Sequence, residues 1–216
     1  SCKKQIRWFD NIPLLSYIIL KAKCRDCSSN IESKYFIVEL VSALSFVFIF
    51  YLFGFTSTTI LFFILSICFL IIIFIDLKHF IIPNEITYTL IAIGFLKSFD
   101  PTLNQYLFPN YINSLIGGGV GYSIIWIIIF VYKKLRNKEG MGLGDAKLLS
   151  ALGFWFGWIS IPFILFFSSI VALGFALPSL MNKSKTMSSQ IPFGPYLVLG
   201  CILYLSLLEQ IILYLN

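Results

Sequence analysis

Two aspartates at the edges of strongly apolar segments are the residues in this sequence best suited to chemistry. Asp76 directly follows the apolar stretch 61–75, and Asp145 ends a glycine-rich turn at the start of another apolar run. The chain has only ten acidic residues. An ionisable side chain placed where a chain enters hydrocarbon is costly and usually marks a functional site. We therefore predict that these two carboxylates, sixty-nine positions apart, meet in one site.

Two carboxylates held together in a partly dry site cannot both ionise cheaply, so they share a proton. An aspartic protease needs this arrangement: one aspartate activates water, and the protonated partner polarises the scissile carbonyl. Gly142 and Gly144 would let the backbone approach a substrate or a neighbouring helix closely. Simpler interpretations stay open, because Asp145 could cap a helix, and Lys78 or His79 could neutralise Asp76.

The elements that must position these aspartates are membrane helices. Of the 216 residues, 58% are hydrophobic and 12% are charged, and the mean hydropathy is +0.89. A soluble domain would carry about a quarter of charged residues, and the alternation typical of a barrel is missing. The sequence predicts an all-α polytopic membrane protein with about seven transmembrane helices and a small N-terminal cytoplasmic segment that contains cysteines.

We place the seven spans on the longest apolar runs. The run from Leu148 to Met181 would reach about 51 Å as one helix, against a hydrocarbon core of about 30 Å. Gly157 and Pro162 mark its break, so we divide it into two spans. The predicted spans are residues 35–54, 58–75, 86–99, 112–132, 147–158, 160–180 and 192–214.

The basic residues give the orientation of these spans. Seven crossings that start inside leave fifteen of the sixteen Lys and Arg residues on one side, and only Lys97 falls outside it. Because cytoplasmic loops retain such residues, we expect Asp76 and Asp145 to face the cytoplasm. The net charge of +6 is therefore a signal of topology, and we expect no nucleic-acid partner.

The segment 1–34 differs from the rest of the chain and is predicted to be a separate cytoplasmic domain, followed by a membrane domain at 35–216. It holds seven basic residues and three of the five cysteines, and its apolar patch 12–20 is too short to span a bilayer. Cys24 and Cys27 have the spacing of half a tetrathiolate zinc site, and a disulfide is not expected in a reducing compartment.

Four motifs in the same order resemble those of bacterial type IV prepilin leader peptidases, which are integral-membrane aspartic proteases of the GxGD class. In that family the first aspartate lies in a pattern like I-D-x6-P-[DN]-x-[LI]-T, and the second in G-x-G-D-x-K-L. A third mark is I-P-F-G-P before the last span. The matching segments here are residues 75–87, 142–148 and 191–195, with 10–17 and 23–27 in the N-terminal region. The resemblance covers essentially the whole chain.

The resemblance implies cleavage of the basic leader from type IV prepilins or pseudopilins of type II secretion at the cytoplasmic face of the bacterial inner membrane. It implies Asp76 and Asp145 as the catalytic pair. Many members also methylate the new amino terminus with S-adenosylmethionine. The residues that it places in the active-site loops are Gly142, Gly144, Lys147, Pro83, Pro192 and Gly194.

For the cysteines, the resemblance implies that Cys2 joins Cys24 and Cys27 at a structural zinc whose fourth ligand would precede Ser1. The family's first span would also precede Ser1, so we expect an N-terminally truncated chain.

Two rivals stay in view. Presenilin-like proteases also carry GxGD, but they have a tyrosine before the first aspartate, where Ile75 stands here. A proton-coupled transporter would place a carboxylate nearer the bilayer midplane than Asp76 or Asp145. His79 is the only histidine, so no Ser-His-Asp triad can form.

Overall fold

A computed structural model describes residues 4–103, 107–136, 141–181 and 192–215, and within these it is helical with one isolated β-bridge. The chain divides into two compact units, residues 1–70 and 71–216. In these described ranges, a short 3-10 helix at Trp8–Asn11 is followed by eight α-helices. These are α1 (Leu15–Ile19), α2 (Ser33–Phe53), α3 (Ser57–His79), α4 (Asn84–Lys97), α5 (Tyr111–Arg136), α6 (Leu143–Phe156), α7 (Ser160–Met181) and α8 (Gly194–Leu215).

The seven helices α2 to α8 correspond one to one with the seven predicted spans, which confirms the all-α membrane fold. Among the described residues, α2, α3, α5 and α7 are long and apolar enough to cross a bilayer, and α8 has a shorter apolar stretch. Helices α4 and α6 have only 14 residues each, or about 21 Å of length. The long apolar run does break at Gly157, whose φ of 80° ends α6.

In the first unit, α2 and the first part of α3 pack through aromatic rings. Phe46 stacks on Phe63 with ring centroids 4.5 Å apart, and Phe53 stacks on Phe62 at 5.0 Å. The N-terminal segment is tied to α2 at one point, because Glu39 accepts a hydrogen bond of 2.8 Å from the backbone N–H that begins α1. These contacts order the segment before the first long helices.

In the second unit, α6 is the central helix and contacts α4, α5, α7 and α8. Glycines let α5 approach it closely: a methyl group at Gly121 would lie 2.6 Å from the carbonyl of Leu149, and Gly117 meets Gly153 directly. On the other side, the Trp155 indole donates a hydrogen bond of 2.8 Å to a carbonyl of α4. Ten of the fourteen residues of α6 are buried, so this helix is held from several directions.

Candidate active site

The first aspartate lies one turn before the end of α3. Asp76 is only 4% exposed, and its Oδ2 accepts a hydrogen bond of 2.9 Å from the backbone N–H of Gly194, the first residue of α8. Lys78 and His79 are exposed, and none of the ion pairs formed within the described ranges involves Asp76. The interpretation in which Lys78 or His79 neutralises Asp76 is therefore wrong. A backbone amide from a distant segment is its polar partner.

The second aspartate belongs to the first turn of α6. The helix begins at Leu143, four residues before the predicted span, and Gly142 with extended backbone angles (φ −83°, ψ 149°) is its N-cap. Asp145 is therefore inside the helix and 8% exposed, and its own N–H donates to the carbonyl of Gly142 at 3.2 Å. The interpretation in which Asp145 acts only as an N-cap is wrong, because the cap position belongs to another residue.

The two carboxyl groups occupy the same region of the second unit. Gly194, which bonds Asp76, and Gly144, which precedes Asp145, both lie against the same side chain, that of Ile82. A methyl group built on Gly194 would lie 2.8 Å from Asp76 Oδ2, so only glycine fits beside that carboxylate without movement. One on Gly142 would stand 3.9 Å from Asp145 Oδ2, an ordinary contact. The structure thus brings together the two aspartates and two of the predicted loop glycines.

A buried apolar side chain, Ile82, lies between the two motifs. A methyl group at Gly144 would be 3.1 Å from its Cβ, and one at Gly194 would be 3.1 Å from its Cδ1. Ile82 is 7% exposed. Nothing in the sequence distinguishes it, because it is one apolar residue among several between Asp76 and the proline that follows.

Lys147 links the second motif to the residues after the first. Its Nζ donates a hydrogen bond of 2.7 Å to Asn84 Oδ1 and lies 5.1 Å from the centre of the Tyr88 ring. Pro83 is the N-cap of α4, and Pro192 lies two residues before α8. The predicted loop residues therefore fall at the beginnings of α4, α6 and α8. The sequence did not reveal that the Asn84 side-chain oxygen would accept a hydrogen bond from Lys147.

The cysteine segment belongs to the first unit and forms a tight turn. The N–H of Cys24 donates to the carbonyl of Ser29 at 2.8 Å, an antiparallel bridge joins Lys23 to Asn30, and Cys27 Sγ lies 3.0 Å from Ser29 Oγ. Cys2 lies outside the described residues. In the part of the chain that is described, no cluster of three or more Cys, His, Asp or Glu residues is assembled as a metal site.

The turn is held to the preceding 3-10 helix by an ion pair. The Arg25 guanidinium donates to both carboxylate oxygens of Asp10, with the shortest distance 2.7 Å. This hydrogen bonding lowers the pKa of Asp10 below its usual value and raises that of Arg25. A bidentate ion pair between arginine and a carboxylate is stronger and more specific in geometry than a single hydrogen bond, so it holds Arg25, which lies between the two cysteines.

The long apolar helices among the described residues define a multi-pass membrane protein, in which two buried carboxyl groups lie near helix ends. Comparison with known sequences gives the family: residues 62–177 match the type IV leader peptidase family, and residues 1–53 match the bacterial peptidase A24 N-terminal domain. The chain belongs to the type IV leader peptidase family, and it is therefore a protease.

Three relatives named prepilin leader peptidase/N-methyltransferase illustrate the similarity. The protein of Aeromonas salmonicida strain A449 is 35% identical over 206 residues, covering 92% of this chain and 67% of the relative. That of Xanthomonas campestris is 37% identical (91% and 67% covered), and that of Neisseria gonorrhoeae is 33% identical (93% and 67% covered). No solved structure matches the chain.

Proposed function

We propose that this chain is a membrane aspartic endopeptidase that removes the basic leader from type IV prepilins or pseudopilins, with Asp76 and Asp145 as its catalytic pair. One observation supports this pair above all. Two carboxylates, from helices that begin far apart in the sequence, are both more than nine-tenths buried, and the buried Ile82 lies against both Gly194, which bonds Asp76, and Gly144, which precedes Asp145. Burial of two such groups together is costly, and proton sharing offsets that cost.

The surroundings favour different roles for the two aspartates. The N–H of Gly194 points at Asp76, and a hydrogen bond to a carboxylate stabilises its ionised form. Asp76 is therefore the base that removes a proton from the attacking water. Asp145 holds the shared proton and donates a hydrogen bond to the scissile carbonyl, whose oxygen gains charge as water adds. The proton taken by Asp76 then passes to the leaving amine.

We assign the site to the cytoplasmic face, with residues 1–34 as a cytoplasmic segment and 35–216 as the protease domain. The assignment is supported by the fifteen basic residues on one side of the predicted topology. On that face the polar leader of a prepilin can stay in water while its apolar helix lies in the bilayer. Its first bond outside the helix then reaches the edge where Asp76 and Asp145 lie.

Methylation of the new amino terminus with S-adenosylmethionine is a second proposed activity, supported by the names of the relatives. A cavity of about 480 Å³ is lined by Lys97, Asp100 and Asn113, among others. It lies at the end of α4 away from Asn84, about 20 Å along the helix from the residue that Lys147 contacts. This cavity does not fit a methyl donor that must reach an amino terminus formed at the aspartates.

We also propose a structural zinc in the N-terminal segment, with Cys2, Cys24 and Cys27 as ligands. The tight turn that carries Cys24 and Cys27 supplies two thiolates from one loop, as structural zinc sites do. Metal analysis of the purified protein should find one zinc per chain. Cys24→Ser and Cys27→Ser should each remove it, and a serine variant that keeps full zinc would exclude that cysteine.

The protease proposal is tested with membranes that contain the protein and a prepilin that carries its basic leader. Cleavage is read as the change in substrate size. Asp76→Asn and Asp145→Asn should each abolish cleavage while the protein accumulates to normal amounts. An asparagine amide cannot take up or release the proton that the two carboxyl groups share. Normal cleavage by either variant would remove that aspartate from the mechanism.

A further inference from the structure

Ile82 lies in the short connection that follows the first aspartate, and its backbone is fixed on both sides. Helix α3 ends at His79, and the N–H of Phe80 donates to the carbonyl of Asp76 at 2.9 Å. Phe80 takes a φ of 56°, which turns the chain sharply, and Pro83 then caps α4. Because only residues 80–83 join the two helices, the place of the Ile82 side chain is tied to that of Asp76.

The two ends of the Ile82 side chain face two other segments. A methyl group on Gly144 would lie 3.1 Å from its Cβ, 3.5 Å from Cγ1 and 3.7 Å from Cδ1, and one on Gly194 would lie 3.1 Å from Cδ1. Gly144 precedes Asp145, and Gly194 donates to Asp76. One buried side chain therefore separates the backbone that carries the second carboxylate from the backbone that holds the first.

We infer that Ile82 is a positioning residue for proteolysis: its side chain, held between Gly144 and Gly194, sets the separation of the two carboxyl groups and closes one side of the pair to water. The inference rests on the proposed roles of Asp76 and Asp145. Interiors are close-packed, so a shortened side chain leaves space into which the three segments relax. A misplacement of about 1 Å between reacting groups costs about a hundredfold in rate.

Two substitutions separate the two ends of the side chain. Ile82→Val removes Cδ1 and keeps Cβ, so it loosens mainly the contact with Gly194, because the nearest atom to Gly144 is Cβ. We expect its kcat to fall by roughly 3- to 10-fold with KM nearly unchanged, because the geometry of the reacting groups changes while prepilin binding does not. Ile82→Ala also removes Cγ1, which would lie 3.5 Å from a methyl on Gly144, so that only Cβ still faces that segment. Its kcat should fall by roughly 30-fold or more.

Leu90→Ala is the matched control. It removes the same number of carbon atoms from a fully buried residue of α4, eight positions further along. Both alanine variants should lower the unfolding temperature in detergent to a similar degree. Only Ile82→Ala should change the pH profile of kcat, because only there does water gain access to the carboxyl pair.

A double variant tests the contact itself. In Gly194→Ala alone, the new methyl is held between Asp76 and Ile82. Adding Ile82→Val gives that methyl room to move away from the carboxylate, so the double variant should be at least roughly threefold more active than the product of the single effects predicts. Leu90→Ala combined with Gly194→Ala should be additive.

The inference would be overturned by an Ile82→Ala enzyme whose kcat and pH profile match those of Leu90→Ala, or by strict additivity in the double variant. That result differs from failure of the catalytic pair. If Asp76→Asn or Asp145→Asn still cleaves prepilin, the proposed function fails. If both are inactive while Ile82 behaves like Leu90, only the positioning role fails.

Discussion

Replacement of Gly194 by alanine tests the contact on which the role of Asp76 depends. The added methyl would lie 2.8 Å from Asp76 Oδ2 and 3.1 Å from Ile82 Cδ1. Carbon and oxygen atoms in ordinary contact stand at 3.4 Å or more, so the carboxylate must move by about half an ångström or more. The aspartate side chain can rotate, and the fold can therefore survive the change. The hydrogen bond of 2.9 Å from the Gly194 N–H cannot keep its geometry.

The expected effect is large on the reaction and small on stability. A hydrogen bond to a charged group contributes about 1.5 to 3 kcal/mol. If this bond is lost, the reaction barrier rises by that amount, and kcat falls by roughly 10- to 100-fold. Cleavage kinetics of purified Gly194→Ala in detergent, with a prepilin substrate, would measure the fall. Its Tm should stay within a few degrees of the unsubstituted protein.

Gly174→Ala provides the control for this substitution. Gly174 lies inside α7, and a methyl group there meets nothing within 4 Å. Alanine stabilises a helix by about 1 kcal/mol relative to glycine, so this variant should be fully active and slightly more stable. The reasoning is refuted if Gly194→Ala keeps kcat within twofold of the unsubstituted enzyme, or if Gly174→Ala loses activity equally.

Two further predictions concern contacts away from the carboxyl pair. Trp155→Phe removes the indole N–H that bonds α4, so it should destabilise the protein by about 1 to 3 kcal/mol, seen as a lower Tm. Because Trp155 is ten residues, or about 15 Å, along α6 from Asp145, the kcat of the folded enzyme should not change. Acidification should loosen the cysteine segment. The hydrogen bond with Arg25 lowers the pKa of Asp10, so the ion pair stabilises the folded segment at neutral pH. This stabilisation is lost as the pH falls through the lowered pKa of Asp10. Hydrogen exchange of residues 8–30 would show this, and an Arg25→Gln variant whose exchange depends on pH in the same way would contradict it.

The helices could be predicted from the sequence because apolar composition and glycine leave a local signal. The apolar run from Leu148 to Met181 breaks at Gly157, whose positive φ ends α6. Both aspartates were identified because an ionisable side chain at the edge of an apolar segment is energetically costly. The start of α6 could not be predicted in the same way. A glycine-rich stretch indicates a turn, yet the helix already begins at Leu143. Packing of α6 against four neighbouring helices stabilises it beyond what the local sequence indicates.

The contacts inside the site left no signal in the sequence. Gly194 belongs to a recognisable motif, but the sequence does not show that its backbone N–H would donate to Asp76, because every residue other than proline has such a group. Ile82 is one apolar residue among many. Lys97 stood out in the sequence as the one basic residue outside the predicted cytoplasmic segments. The sequence did not predict that its buried Nζ would donate to the Trp155 carbonyl at 2.8 Å and lie 3.8 Å from the centre of the Phe108 ring. Such contacts depend on tertiary packing between distant segments.

The lengths of the helices around the site also bear on how a membrane protease obtains water. Helix α5 has 26 residues and extends about 39 Å, whereas its packed neighbour α6 has 14 residues and extends about 21 Å, less than a hydrocarbon core of about 30 Å. Helix α5 must therefore extend beyond α6 at one or both ends. Asp145 lies in the first turn of α6, so a recess at that end would let water reach the carboxyl pair without crossing hydrocarbon. A peptide bond just outside an apolar helix needs to travel only as far as that recess, which explains why a short helix suits a protease that cuts at the membrane edge.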